Sequence, residues 1–194
     1  MQKRLLISFL MSAVLMIATA PMASGLGSTT PEERQRVLAI AHKLEATPLD
    51  QTLFPEREWA KQWVVENPDV RIRMCMQLLA GLRTPKYKFR TEIVTQMMLS
   101  SAAFLIEHPA SVGDNLAENV GGLQGVLKAY AAILKTNPDA DAHAKHLDDL
   151  LQKQSEGKLL DYARETIKYR HAALDKGTNP LRLFWGHFSS GCQA

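Results

Sequence analysis

The 194-residue chain contains only two cysteines, Cys75 and Cys192, and neither belongs to a Cys-x-x-Cys pair. That excludes a disulfide-dense scaffold, a four-cysteine zinc site and covalent haem attachment. Glu-x-x-His is absent, which removes the carboxylate di-iron bundles that need two such pairs facing inward. The metalloprotease His-Glu-x-x-His, the esterase Gly-x-Ser-x-Gly and the phosphate-cradling Gly-x-x-x-x-Gly-Lys are absent too. No run of four residues alternates β-branched or aromatic side chains between turn signals, so no strand is expected. Beyond residue 25, no uncharged apolar segment reaches the eighteen residues of a membrane-spanning helix.

The first 25 residues have a different character. Lys3 and Arg4 precede the uncharged run Leu5 to Ala20, which ends near the small residues of PMASG. This order is that of a secretory signal. Ala23-Ser24-Gly25 suits a signal peptidase, whereas a cut after Ala20 would leave Pro21 just beyond it, so the mature chain is expected to begin near Leu26. The alternative is an uncleaved anchor, but sixteen apolar residues span about 24 Å as a helix, against a hydrocarbon core of about 30 Å. With Lys3 and Arg4 removed, the formal charge of +3 falls to +1. A near-neutral mature chain gives no electrostatic case for nucleic acid. Export to the periplasm or the exterior allows Cys75 and Cys192 to form a disulfide. The alternative is a buried thiol at Cys75 and a free one at Cys192.

From Thr29 onward the periodicity is helical. Thr30-Pro31-Glu32-Glu33 is a capping box with proline at the first helical position. Pro55 opens a second helix that sets Trp59 and Trp63 on one face, and Asn67-Pro68-Asp69 is read as the start of a third, carrying Cys75, Leu78, Leu79 and Leu82. No charge lies between Glu92 and Glu107, so the helix there is expected at the centre, covered by others. A helix with Val120, Leu123, Val126 and Tyr130 comes after the loop at Gly113. Asn137-Pro138 is read as opening the next, Ser155-Glu156-Gly157 as a turn with Ser155 capping the following helix, and Leu160, Ala163, Ile167 and Leu174 as the face of a last one. The expected fold is all-α: a signal peptide (1–25), one bundle of six or seven helices (26–178), and a tail (179–194) docking through Phe184, Trp185 and Phe188. The segment from Leu127 to Gly157 resembles the junction between two tetratricopeptide units. Pro68, Pro109 and Pro138 are 41 and 29 residues apart, however, so no steady repeat of about 34 is expected.

Candidate chemistry is sparse. In NPDADAHAKHLDDLL (Asn137 to Leu151), a continuous helix would bring Asp139, His143 and His146 within about 60° of one another, and these are the metal candidates. A zinc site needs further ligands, and no second cluster supplies them. The simpler reading makes Asn137 an N-cap and Asp139 and Asp141 helix-dipole partners. No metal or cofactor is therefore expected. Gly121, Gly122 and Gly125 read as close helix packing or, alternatively, as backbone approached by a ligand. Ser155-x-x-Lys158 matches a penicillin-binding motif whose partner motifs are missing. His171 reads as a boundary histidine. In KYKFR, Tyr87 and Phe89 are expected to tuck under the bundle, with anionic lipid or polysaccharide as the alternative contact for Lys86, Lys88 and Arg90. The reading is an exported, non-catalytic protein that contacts another exported or envelope protein. The alternative is a binding protein or enzyme with an inter-helical pocket near Gly121–Gly125 and Asp139, His143 and His146.

Overall fold

The computed structural model describes residues 29–82 and 87–175, the last seven by backbone alone. Among the described residues there are six α-helices, four 3₁₀ segments and no strand. The first helix, α1 (Pro31–Ala46), begins at the expected capping box: Thr30 accepts from the Glu33 amide while Glu33 accepts from the Thr30 amide. A turn capped by Asp50 leads into α2 (Phe54–Glu66), where Trp59 and Trp63 lie 6.5 Å apart and Arg36 from α1 stacks 3.7 Å over Trp59.

The expected helix at Asn67-Pro68 does not form. Asn67 instead closes α2, its amide and its side-chain NH₂ both donating to the Trp63 carbonyl at 3.1 and 2.7 Å. A residue before proline is driven toward extended backbone, and a proline just past a helix end is as much a stop as a start. Residues 71–75 are not helical, and their polar backbone is satisfied by side chains of α4 (Asn115–Thr136). The Arg73 amide donates to Glu118, the Cys75 amide donates to Asn119 Oδ1 at 2.8 Å, and Asn119 Nδ2 donates to the Arg73 carbonyl at 2.9 Å. Asn115, Glu118 and Asn119 are all buried. Of the apolar residues assigned to that helix, Cys75 lies in this non-helical stretch, and Leu78, Leu79 and Leu82 are buried on a 3₁₀ segment, Met76–Leu82, which is interrupted at Leu79.

The uncharged segment forms α3 (Arg90–Glu107), and 11 of its 18 residues are buried, which leaves it almost no face for water. It packs along α4, the longest helix, which Asp114 caps through the Ala117 amide. Two apolar clusters meet at α3. Ile93 and Met97 join the larger one with Leu78, Leu123, Tyr130 and Leu147; Met98, Leu99 and Ala102 join the smaller one with Val37, Leu44 and Trp63. Tyr87 and Phe89 are buried in the larger cluster, as expected for KYKFR.

Asn137 repeats the behaviour of Asn67. It closes α4, with its amide donating to the Ile133 carbonyl at 2.8 Å, and a 3₁₀ turn at Ala140–Ala142 precedes α5 (Lys145–Ser155). Ser155 is the last residue of α5 and donates to the Gln152 carbonyl; it does not cap the next helix. Gly157, at φ +71°, turns the chain into α6 (Leu159–Asp175). There Leu159, Ala163 and Ile167 are buried while Leu160 is exposed, so the apolar face begins one residue earlier than expected. No helix among the described residues is long and apolar enough to cross a membrane. The expected signal peptide, the His171 side chain, Lys86, the Leu174 side chain, and the tail with Phe184, Trp185, Phe188 and Cys192 lie outside the described residues.

Asn119→Ala removes the acceptor for the Cys75 amide and a donor to the Arg73 carbonyl. At about 1 to 3 kcal/mol for each buried group disturbed, the unfolding free energy from a urea melt is expected to fall by about 3 kcal/mol.

Candidate functional site

A cleft of about 540 Å³ opens where the 3₁₀ segment, Tyr87 and the start of α5 meet. Gly81, Tyr87, Asp141, His143, Lys145, His146 and Asp149 line it. Because α5 begins at Lys145, there is no single helix through residues 139 to 146 and hence no common stripe for the three metal candidates. Asp139 is exposed, its backbone carbonyl accepting from the Ala142 amide, and it does not line the cleft. His143 sits ahead of the helix and His146 in its first turn. Among the described residues no group of three histidine, cysteine or carboxylate side chains is arranged to hold a metal ion.

The two histidines have different partners. His143 Nδ1 lies 3.2 Å from Asp148 Oδ1. An ionised carboxylate only accepts, so Nδ1 carries the proton and Nε2 is the nitrogen left for another contact. His146 Nε2 lies 2.8 Å from the Leu78 carbonyl; a carbonyl only accepts, so in this ring Nε2 carries the proton. Tyr162 O–H donates to that same carbonyl at 3.2 Å, and its ring meets the His146 ring edge-on.

Two tyrosines read in the sequence only as apolar packing have bonding roles at the cleft. Tyr130, on the apolar stripe of α4, donates to Asp148 Oδ1 at 2.7 Å and accepts the Ala144 amide at 3.0 Å. It thereby fixes the carboxylate that holds His143 and supplies an acceptor at the start of a helix with no side-chain cap. Burial pushes its phenol well above the ordinary tyrosine range. Tyr87 O–H donates to the Ala142 carbonyl at 3.1 Å, pinning the turn before α5 from the other side. The cleft charges are largely paired: Lys145 with Asp149 at 2.9 Å, and Asp141 with Lys88 at 3.4 Å.

The glycines of α4 lie against α3 and not in this cleft. A Cβ on Gly121 would collide with Phe104, on Gly122 with Ser101 and Met97, and on Gly125 with Ser100. They let α3 approach α4, as the close-packing reading has it, and none of the three lines the cleft described above.

No family model matches the chain, nor does any curated protein or solved structure.

Gly81 is the residue that admits His146 to the cleft wall. A Cβ there would collide with His146 Cβ, an atom that no rotamer change moves, and with its Cγ. Gly81→Ala is expected to cost about 1 to 3 kcal/mol in a urea melt and to shift the His146 ring resonances as its bond to Leu78 lengthens.

Proposed function

We propose that this is an exported protein of the periplasm or cell exterior that works by binding and not by catalysis. The cleft beside His143 and His146 is its contact surface for another exported or envelope protein. One observation carries this reading. The buried polar side chains Glu118 and Asn119 are spent on the backbone of residues 73–75 and Gln96 on the Ala41 carbonyl, so among the described residues these three do not converge on an enclosed cavity. The cleft offers a partner several exposed polar groups: His143 Nε2, the Lys145–Asp149 pair and Asp141. No serine, threonine or cysteine stands among the described residues lining it, so no aliphatic hydroxyl or thiol nucleophile is offered there.

A second reading has one observation in its favour. The Asp148–His143 pair orients an imidazole as a base-and-orienter pair does, which suits a small ligand with an acidic proton. A photo-crosslinking residue at position 145 of the exported protein separates the two. One discrete protein adduct, absent when the probe sits at exposed position 124 of α4, supports a protein partner. Identical adduct patterns from both positions overturn it.

Export rests on the residues before Leu26, and intact mass of the exported protein checks it: a chain starting within a few residues of Leu26 is expected, and a full-length mass in the membrane fraction contradicts it. The Cys75–Cys192 disulfide belongs to the same proposal. Peptide mapping of unreduced exported protein is expected to join the two cysteine peptides; two alkylatable thiols contradict the bond. The residues enclosed number about 117 by position, a loop size for which entropy models give about 4 to 5 kcal/mol.

A further inference from the structure

Away from the cleft, the last turns of α1 carry a histidine between two carboxylates. His42 Nδ1 is 3.3 Å from Glu45 Oε2 on its own helix, and His42 Nε2 is 3.0 Å from Glu107 Oε1 at the end of α3. A neutral imidazole has a single N–H and can serve only one of two ionised carboxylates. Both contacts together require the imidazolium.

The surroundings fix one side of this bridge and leave the other loose. Glu45 is mostly buried and is held independently of the histidine, by Lys128 of α4 at 2.9 Å and by Ser100 of α3 at 3.3 Å. Glu107 is half-exposed, and among the described residues His42 is the cation it meets. From α2, the charged group that reaches this part of α1 is Glu56, which pairs with Lys43 at 3.6 Å and not with His42. Lys128 brings its positive charge to the same Glu45 oxygen that faces the ring.

We propose that His42 is a proton-operated latch: as the imidazolium it ties the end of α1 to the end of α3, and as the neutral ring, with one N–H and no charge, it loosens that tie. The Glu107 hydrogen bond, followed by the contributions of Glu45, raises the His42 pKa against a lowering by partial burial. A raised histidine pKa means that the stabilisation is complete below the unfolded value of about 6.5 and is lost as pH rises through the folded value. Deprotonation removes the charge from both arms; Glu45 keeps Lys128 and Ser100, so the Glu107 arm is the one that weakens with no other cation to replace the imidazolium among the described residues. The latch rests on the fold alone and stands or falls independently of the cleft and of export.

Ring-proton NMR of the full chain across pH 5 to 9, with His42→Gln assigning the resonance, reads the site directly. The His42 midpoint is expected above that of a free histidine and is expected to drop in Glu107→Gln, which keeps the shape and removes the charge. Amide exchange at the last turn of α1, corrected for intrinsic rate, gives the mechanical consequence: about a two- to fivefold loss of protection through that midpoint, the scale of a half-exposed ion pair, absent in His42→Gln. A midpoint at or below that of free histidine, or a pH profile of protection that His42→Gln leaves unchanged, overturns the latch.

Discussion

Everything else in this fold is arranged around a helix that cannot face water. Between Glu92 and Glu107, α3 has no charged side chain, and its mixture of apolar and small residues offers no polar stripe. Covering it takes α1 and α2 on one side and α4 with the 3₁₀ segment on the other, which is why two apolar clusters exist and why α3 contributes to both. Two of the polar residues it carries are turned into fastenings: Gln96 donates to the Ala41 carbonyl and to Ser100, and Ser100 to Glu45. Burial of a polar group without such a partner costs free energy, so these bonds fix the rotation of α3 about its axis as well as its position.

Elements whose start and stop are encoded within a few residues were legible in the sequence. The Thr30 capping box, the α2 tryptophans and the uncharged α3 fall where local rules put them. The two Asn-Pro pairs did not. Asparagine is a good N-cap, but its short amide also reaches the carbonyl four residues back, and at both Asn67 and Asn137 the preceding helix claims it. The residues after each pair are then free to leave helical geometry if another element satisfies their backbone. Glu118 and Asn119 do so for residues 73–75, and Tyr87 and Tyr130 do so for residues 142–144. Neither grip is visible from spacing, since the partners are some 14 to 55 residues apart.

The same reason limits how much of the cleft could be read. His143 and His146 stood out as residue types, but their roles come from Asp148, Tyr130 and the Leu78 carbonyl, which the fold brings together. The three-residue stripe with Asp139 assumed helix where there is a 3₁₀ turn. Leu160 and Leu159 exchange places for a smaller version of that cause: a shift of one residue at the Gly157 turn rotates the face of α6 by about 100°.

The approach of α3 to α4 has a consequence for how this sequence can vary. Gly122 faces Ser101 and Met97, and Gly125 faces Ser100, with no room for an added methyl on the α4 side. Ser100 is itself part of the fastening to Glu45, so it cannot be trimmed to make space without loosening α1. A larger residue at position 125 therefore calls for compensation on two other helices at once, whereas one at position 122 can be answered by changes at Ser101 and the flexible Met97, both on α3. Gly122 and Gly125 are neighbours on one face of α4 and alike in composition, yet they belong to different classes of accessible change: position 122 is reachable by paired steps, and position 125 is closed to them.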